Sequence, residues 1–197
     1  MARPRAVREE PEGLVFQRDF VTSDEERDVL AVLDRVDFRE IVMRGQVARR
    51  TVRHFGYDYD YEGWGLEPAE QLPDELVWLR DRCAALAELE PESLAQTLVS
   101  RYPEGAGIGW HRDAPMFGAK VVGVSLLSGC RMRFQRTVCD ERRTWELELP
   151  ERSAYVLAGA ARSAWQHSIP ATRSLRYSIT FRTLKNPARW SVSRPAV

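Results

Sequence analysis

Apolar side chains recur along this chain with two different periods, and the change of period divides it. Thr22-Ser-Asp-Glu-Glu26 contains a capping-box pattern, and Val29, Val32, Leu33 and Val36 follow at helical spacing, which predicts a helix from about Ser23 to Val36. A second helix is predicted after Pro73, which suits a first helical turn. Leu76, Leu79, Cys83, Leu86 and Leu89 lie on or near one face of it, and it ends before Pro91. From Leu94 onward the period is two. Runs rich in Val, Leu, Tyr, Phe and Thr predict strands over Gln96 to Tyr102, Val121 to Leu127, Arg131 to Gln135, Thr144 to Leu149, Tyr155 to Leu157 and Arg176 to Thr183. Many short strands broken by Gly and Pro indicate a β sandwich or barrel. No repeat and no linker interrupts the pattern. The expected architecture is α+β, with two N-terminal helices braced against a C-terminal antiparallel double sheet. Residues 1–12, charged and carrying two prolines, are expected to form a flexible tail, with 13–197 a single domain.

Composition narrows the class. The 197 residues are 44% apolar and 29% charged, which supports one sizeable core and excludes disordered, collagenous and coiled-coil chains. The longest apolar stretch, Val121 to Leu127, is far short of the roughly 20 residues that a membrane helix requires. The N-terminal MARPRAVREE has no apolar signal segment. A soluble, cytoplasmic protein without a membrane partner is expected, and no obligate protein partner is inferred. Cys83, Cys130 and Cys139 have no metal-site or CxxC spacing, which fits reduced thiols. The 29 Lys and Arg balance 29 Asp and Glu, so no global positive field announces nucleic acid. Only Lys120 and Lys185 are lysines, so the positions of the arginines carry the information.

Two constellations carry chemistry. In Trp110-His111-Arg112-Asp113 an extended backbone would point His111 and Asp113 to one face, and His167 follows another strand-like run. Two imidazoles and one carboxylate are the facial set of non-haem Fe(II) oxygenases, although an HxD with a distant His also occurs among ordinary core and surface residues. Near the C-terminus, Arg176, Ser178, Thr180 and Arg182 share one face of a strand. Polar residues facing into a sandwich must answer something, and a dicarboxylic acid held bidentately is a natural answer. The other reading is an edge strand with a solvated face.

Taken in order, Ser100-Arg-Tyr102-Pro-Glu-Gly105, Ile108-Gly-Trp-His111-Arg-Asp113, Val122-Gly-Val-Ser-Leu126, Met132-Arg-Phe134, Gly159-Ala-Ala-Arg162, Trp165-Gln-His167 and Arg176 to Arg182 resemble the successive motifs of the AlkB family of Fe(II)/2-oxoglutarate dioxygenases, over residues 50 to 184. The resemblance implies a double-stranded β-helix, or jelly roll, and implies that His111, Asp113 and His167 ligate Fe(II). It implies that Arg176 and Tyr102 hold the distal carboxylate of the cosubstrate 2-oxoglutarate, with Arg182 in support and O2 as the oxidant. Two departures fall at the cosubstrate site, where Ser100 and Ser178 stand in place of asparagines that the family often carries. A hydroxyl keeps one hydrogen bond of an amide but not both its ends. A third is Pro115, where nucleobase demethylases of the family often place an acidic residue.

Upstream, Arg39, Arg44, Arg49, Arg50 and Arg53 run into His54-Phe-Gly-Tyr57-Asp-Tyr59-Asp-Tyr61 with Glu40 the one acid among the arginines. Cations for phosphates beside rings for stacking suit a single strand or an extruded base. Residues 39–64 resemble the family's substrate lid, with Arg49, Arg50, Arg53 and Tyr57 as the substrate-binding candidates. A β-hairpin with a solvated basic edge is the alternative. Arg131, Arg133, Arg136, Arg142 and Arg143 bracket a second hairpin and fit the solvent face of a sheet. The expected function is oxidative dealkylation of alkylated bases in DNA or RNA. The alternatives are the same chemistry on a protein side chain or small molecule, and a catalytically silent nucleic-acid-binding module.

Overall fold

The structure, a computed structural model, describes residues 6–43, 45–59 and 65–186. Residues 1–5 of the expected tail, Arg44 and residues 60–64 of the expected lid, and residues 187–197 lie outside the described residues. In chain order the elements are β1 (Val7–Arg8), β2 (Leu14–Gln17), α1 (Ser23–Leu33), β3 (Arg39–Met43), β4 (Gln46–Phe55), β5 (Tyr57–Tyr59), β6 (Leu66–Pro68), α2 (Val77–Leu86), β7 (Gln96–Tyr102), β8 (Ile108–His111), β9 (Phe117–Leu126), β10 (Cys130–Val138), β11 (Glu141–Leu149), β12 (Ser153–Leu157), α3 (Gly159–Ser163), β13 (Gln166–Ile169) and β14 (Arg176–Leu184). They build a double-stranded β-helix. The large sheet has the order β2-β12-β9-β14-β7-β4-β3, and the small sheet has the order β1-β11-β10-β13-β8.

Strand alternation divides the large sheet into two faces with different tasks. Val99, Val122, Val124, Leu126, Ala154, Val156, Tyr177, Ile179 and Phe181 point away from the small sheet into a core with Val29, Leu33, Leu76, Leu79 and Cys83 of the two helical segments. Burying side chains of this size is worth about 1.5–3 kcal/mol each, so the helices cover the sheet's outer face. The inner face meets Met132, Phe134, Leu149 and Trp165 in a second core with Val121, Tyr155 and Leu157. Tyr155 lies directly across from Gly123, where a Cβ would come within 2.2 Å of the ring, so only glycine lets that ring lie flat on β9.

The helix over 22–36 begins as expected. Thr22 accepts a hydrogen bond from the Glu25 amide and the Glu25 carboxylate accepts one from the Thr22 amide, which closes the capping box. The α-helical assignment ends earlier, at Leu33, because the Arg35 and Val36 amides bond to Val32 and Leu33 in tighter turns before the chain enters β3. The N-terminal half also contributes more than helices. Strands β2, β3 and β4 belong to the large sheet, and β3 and β4, within the expected lid, form an antiparallel pair whose second strand also pairs with β7. Nor is the double sheet wholly antiparallel. Val7–Arg8 runs parallel to β11, and Glu9 pairs with Arg136 and Arg143, so pairing begins inside the segment expected as a tail. No helix among the described residues is long and apolar enough to cross a membrane.

Glu25 also receives both terminal nitrogens of Arg82 from α2. Those hydrogen bonds, with the Thr22 amide, hold its carboxyl at about 2, below the ordinary value of 4.5. A depressed folded-state pKa contributes stability above the unfolded value that disappears as pH falls toward the folded one. Replacing Glu25 by Gln should therefore flatten the acid limb of stability between about pH 4.5 and 2. Thr22→Ala should cost about 1 kcal/mol at neutral pH. Urea unfolding at a series of pH values measures both.

Candidate functional site

Between the two sheets lies a cleft of about 1270 Å³, floored by the inner face of β7 and β14 and walled by β8 and β13. The face expected to carry Arg176, Ser178, Thr180 and Arg182 does point into it, and Ser100 and Tyr102 share the same floor. Register places Arg176 opposite Tyr102 and Ser178 opposite Ser100. Arg176 is 1% exposed, with its guanidinium carbon 5.2 Å from the centre of the Tyr102 ring. Its Nε donates to Ser125 Oγ at 3.2 Å, and it forms no ion pair with a described residue. A guanidinium cannot shed its charge, so its remaining donors are suited to an anion that enters the cleft.

The other arginine of the strand is engaged. Arg182 Nη2 lies 3.1 Å from Asp113 Oδ1, and Nη1 donates to Gln96 Oε1 at 3.4 Å. Asp113 follows the edge strand β8, and its loop is held by Arg162 of α3, which donates to the carbonyls of Asp113, Ala114 and Phe117. Burial works against ionisation of Asp113, but nearby positive charge, Arg182 foremost, outweighs it and holds the carboxyl at about 2.

His111 and His167 face each other across the β8–β13 ladder, with ring centres 4.3 Å apart. Burial lowers both imidazole pKa values, that of His167 to about 4, so both are neutral at pH 7. His111 Nδ1 lies 2.9 Å from the Gly109 carbonyl. A carbonyl only accepts, so the proton belongs on Nδ1 and Nε2 carries the free lone pair. His167 Nε2 is 3.9 Å from Asp113 Oδ2, beyond hydrogen-bond reach, and Nδ1 has no partner among the described residues. An imidazole buried without partners is costly unless something else engages it.

A divalent iron requires neutral imidazoles and an ionised carboxylate with lone pairs free to ligate. Among the described residues no three His, Cys, Asp or Glu side chains are already drawn to metal-binding spacing. The chemistry of the donors nevertheless fits: two neutral imidazoles, one with its tautomer set by a backbone carbonyl and one without a partner, beside a carboxylate held ionised.

The four substrate candidates separate by strand parity. Arg50 is buried and lines the cleft, opposite the floor strand β7. Its neighbour Arg49 and the equivalent odd position Arg53 fall on the other face of β4: Arg49 is exposed, and Arg53 pairs with Glu70 over the Phe55 ring. Tyr57 packs with Leu66, Phe117, Ala114 and Met116 beside the cleft and does not line it. Three residues given no role from sequence contribute: Ser125 as the partner of Arg176, Arg162 as the clamp on the Asp113 loop, and Tyr155, whose phenol burial keeps neutral, in the lining. A hydroxyl inside the apolar run Val121 to Leu127 was the visible signal for Ser125.

Comparison with known proteins agrees with this geometry. Residues 14–182 match the 2OG-Fe(II) oxygenase superfamily. An Arabidopsis thaliana protein described as an alkylated DNA repair protein ALKBH8 homolog is 29% identical over 209 residues, covering 88% of this chain and 59% of the relative. A Danio rerio protein described as a probable RNA/DNA demethylase ALKBH6 is 27% identical over 154 residues, covering 77% of this chain and 62% of the relative. The chain thus spans about three fifths of each. Among solved structures, that of OsALKBH1 superposes with a TM-score of 0.68 at 17% identity, over 88% of this chain and 97% of that one, a likeness of fold. Since the superfamily match runs from the first strand of the large sheet into its arginine-bearing last one, the chain belongs to the 2OG-Fe(II) oxygenase superfamily, with AlkB homologues among its relatives.

Proposed function

We propose that this protein is an oxidative dealkylase of alkylated bases in DNA or RNA. The observation that carries the reading is the charge of the cleft lining: Arg50, Arg112, Arg162, Arg176, Arg182 and Lys185 against the single carboxylate of Asp113. Arg182 and Arg162 are occupied in holding Asp113 and its loop. Arg176 is allotted to the cosubstrate. That leaves Arg50, Arg112 and Lys185 for a polyanion, and none of the three forms an ion pair with a described acidic residue. The names of the plant and zebrafish relatives, which refer to alkylated DNA repair and to RNA or DNA demethylation, support the same substrate class. A cleft of about 1270 Å³ also exceeds the roughly 300–1,000 Å³ of ordinary small-molecule sites, so a nucleobase fits beside 2-oxoglutarate.

His111, Asp113 and His167 would hold Fe(II), which supplies the O2 activation that no side chain here can perform. Arg176 and the Tyr102 hydroxyl would hold the distal carboxylate of 2-oxoglutarate, with Ser100 and Ser178 opposite each other on the same floor, which would bind the cosubstrate in one orientation. Arg182 keeps Asp113 ionised and directed, while the Gly109 carbonyl keeps the His111 proton on Nδ1. In the overall reaction one oxygen atom of O2 enters succinate as 2-oxoglutarate loses CO2, and the other enters a C–H bond of the substrate. When that carbon is a methyl on nitrogen, the hemiaminal releases formaldehyde and the free amine. One feature favours a second reading, the same chemistry on a protein side chain or small molecule: Pro115 lines the cleft where an acidic contact to a base is common in the family.

The deciding experiment is Fe(II)-dependent succinate formation across a panel of methylated and plain DNA and RNA strands. Stimulation by methylated strands alone supports dealkylation of bases, and equal, negligible stimulation by all of them favours the second reading. His111→Ala and Asp113→Ala should abolish turnover, with circular dichroism reporting the retained fold of the first and urea unfolding the lost stability of the second, which leaves Arg182 without its partner. Arg176→Lys keeps the charge but loses the fork, so the 2-oxoglutarate KM should rise at least tenfold, about 1.4 kcal/mol. Arg50→Gln should raise the KM for a methylated strand and leave that for 2-oxoglutarate unchanged, whereas Arg53→Gln should change neither.

A further inference from the structure

The small sheet has an outer face on which one end is charge-neutralised and the other is not. Phe134, His167 and His111 occupy one cross-strand row and point inward, Phe134 into the core and the two imidazoles into the cleft, so the neighbouring row, Arg133 with Ser168, faces outward. Trp110 belongs to that outer row, since the guanidinium carbon of Arg133 stands 5.2 Å from the centre of its ring. At the β11 side, Arg131 is paired with both Glu146 and Glu148. Glu146 lies opposite Arg133 in the ladder, yet its carboxylate turns to Arg131, while Arg133 reaches the other way, donating from Nε to Ser168 Oγ at 3.3 Å. Arg133 therefore makes no ion pair with a described residue. Nor does Arg112, which is exposed at the end of the same edge strand. The patch is continuous with the cleft: Trp110, Arg112 and Gln166 line its mouth, and Gln166 is hydrogen-bonded to Gln135 of β10.

We infer that this outer surface, Trp110, Arg112 and Arg133, is a docking track for a single-stranded nucleic acid, carrying the nucleotides that flank the residue held in the cleft. The inference rests on the nucleic-acid reading of the cleft and adds where the rest of the strand runs. Two guanidinium groups without acidic partners match phosphates, and a half-buried indole beside them offers a face to a base. A duplex is not the occupant argued for, because stacking on Trp110 requires an unpaired base. The position also explains an otherwise wasteful arrangement, in which a stacked Arg and Trp sit on the solvent face directly behind the His111 strand.

The test is binding of unmodified ten-nucleotide DNA and RNA strands to the full chain, followed by tryptophan fluorescence over a range of salt concentrations. Quenching is expected in the parent and should be largely lost in Trp110→Phe, which retains a ring and most of the affinity. Trp110→Ala should weaken binding by roughly 5- to 150-fold. Arg112→Gln and Arg133→Gln should each reduce the slope of log affinity against log salt by roughly 0.7. Arg133 lies two strands from His111, so its variant keeps the test meaningful if Trp110→Ala fails to fold. Parent-like affinity and salt slope in the Arg112→Gln/Arg133→Gln double variant would overturn the inference, as would a mononucleotide competing as well as the strand. The two readings fail separately. Strands that bind with these losses but never raise succinate formation leave the track standing and remove the dealkylation reading; alkylated mononucleotides that drive turnover without strand binding on this face do the reverse.

Discussion

A two-sheet sandwich closes on its inner faces, and here those faces enclose three guanidinium groups, a carboxylate and an imidazole pair. Arginine cannot neutralise itself when desolvated, so each buried guanidinium must be answered by an acceptor. Arg182 is answered by Asp113, and that one contact has several consequences. It makes the inner face tolerable, it keeps the carboxylate ionised against a burial that works the other way, and it ties the edge strand bearing His111 to the last strand of the opposite sheet. Removing one partner of such a pair typically costs about 3–5 kcal/mol because the other is left charged and dry. The candidate metal ligand is thus also part of the clasp between the sheets.

The two sheets divide the labour. The large one is covered by α1 and α2 on its outer side, and it supplies Arg176, Tyr102 and Ser125, the first two of them proposed to hold the cosubstrate. The small one supplies the imidazoles from β8 and β13, at the edge of a sheet whose outer surface is covered by no helix among the described residues. A buried anchor next to an accessible rim is the arrangement expected of a site that fixes one reactant and admits another of variable size.

Much of this is legible in the amino-acid sequence, for identifiable reasons. The even spacing of Arg176, Ser178, Thr180 and Arg182 announced a polar inner face because strand parity is strict. The His111, Asp113 and His167 set was ambiguous as a pattern and took its meaning from the order of motifs around it. Parity was also available for Arg49, Arg50 and Arg53, since neighbours 49 and 50 cannot share a face. Which of the two faced the cleft depended on the pairing of β4 with β7, a long-range fact that local composition does not carry. The strands β2 and β3–β4 were hidden for a related reason: short or basic segments lack a strong apolar alternation and become strands because a sheet edge accepts them. The end of α1 was set by the turn into β3 rather than by propensity.

Glu26 has a consequence for the order in which the molecule can assemble. This buried carboxylate on the first helix accepts a hydrogen bond from the Leu127 amide at 2.8 Å and one from Arg152 at 3.1 Å, both from residues in left-handed conformations at the ends of distant turns. Those partners lie 101 and 126 positions further along the chain. As the polypeptide leaves the ribosome, α1 emerges with its charged anchor exposed and stays so until most of the jelly roll has been made. Closure of the N-terminal layer onto these turns therefore waits for residues made late in biosynthesis. A truncated product would lack the anchor's partners, leaving the outer apolar face of the large sheet open to chaperones or to aggregation.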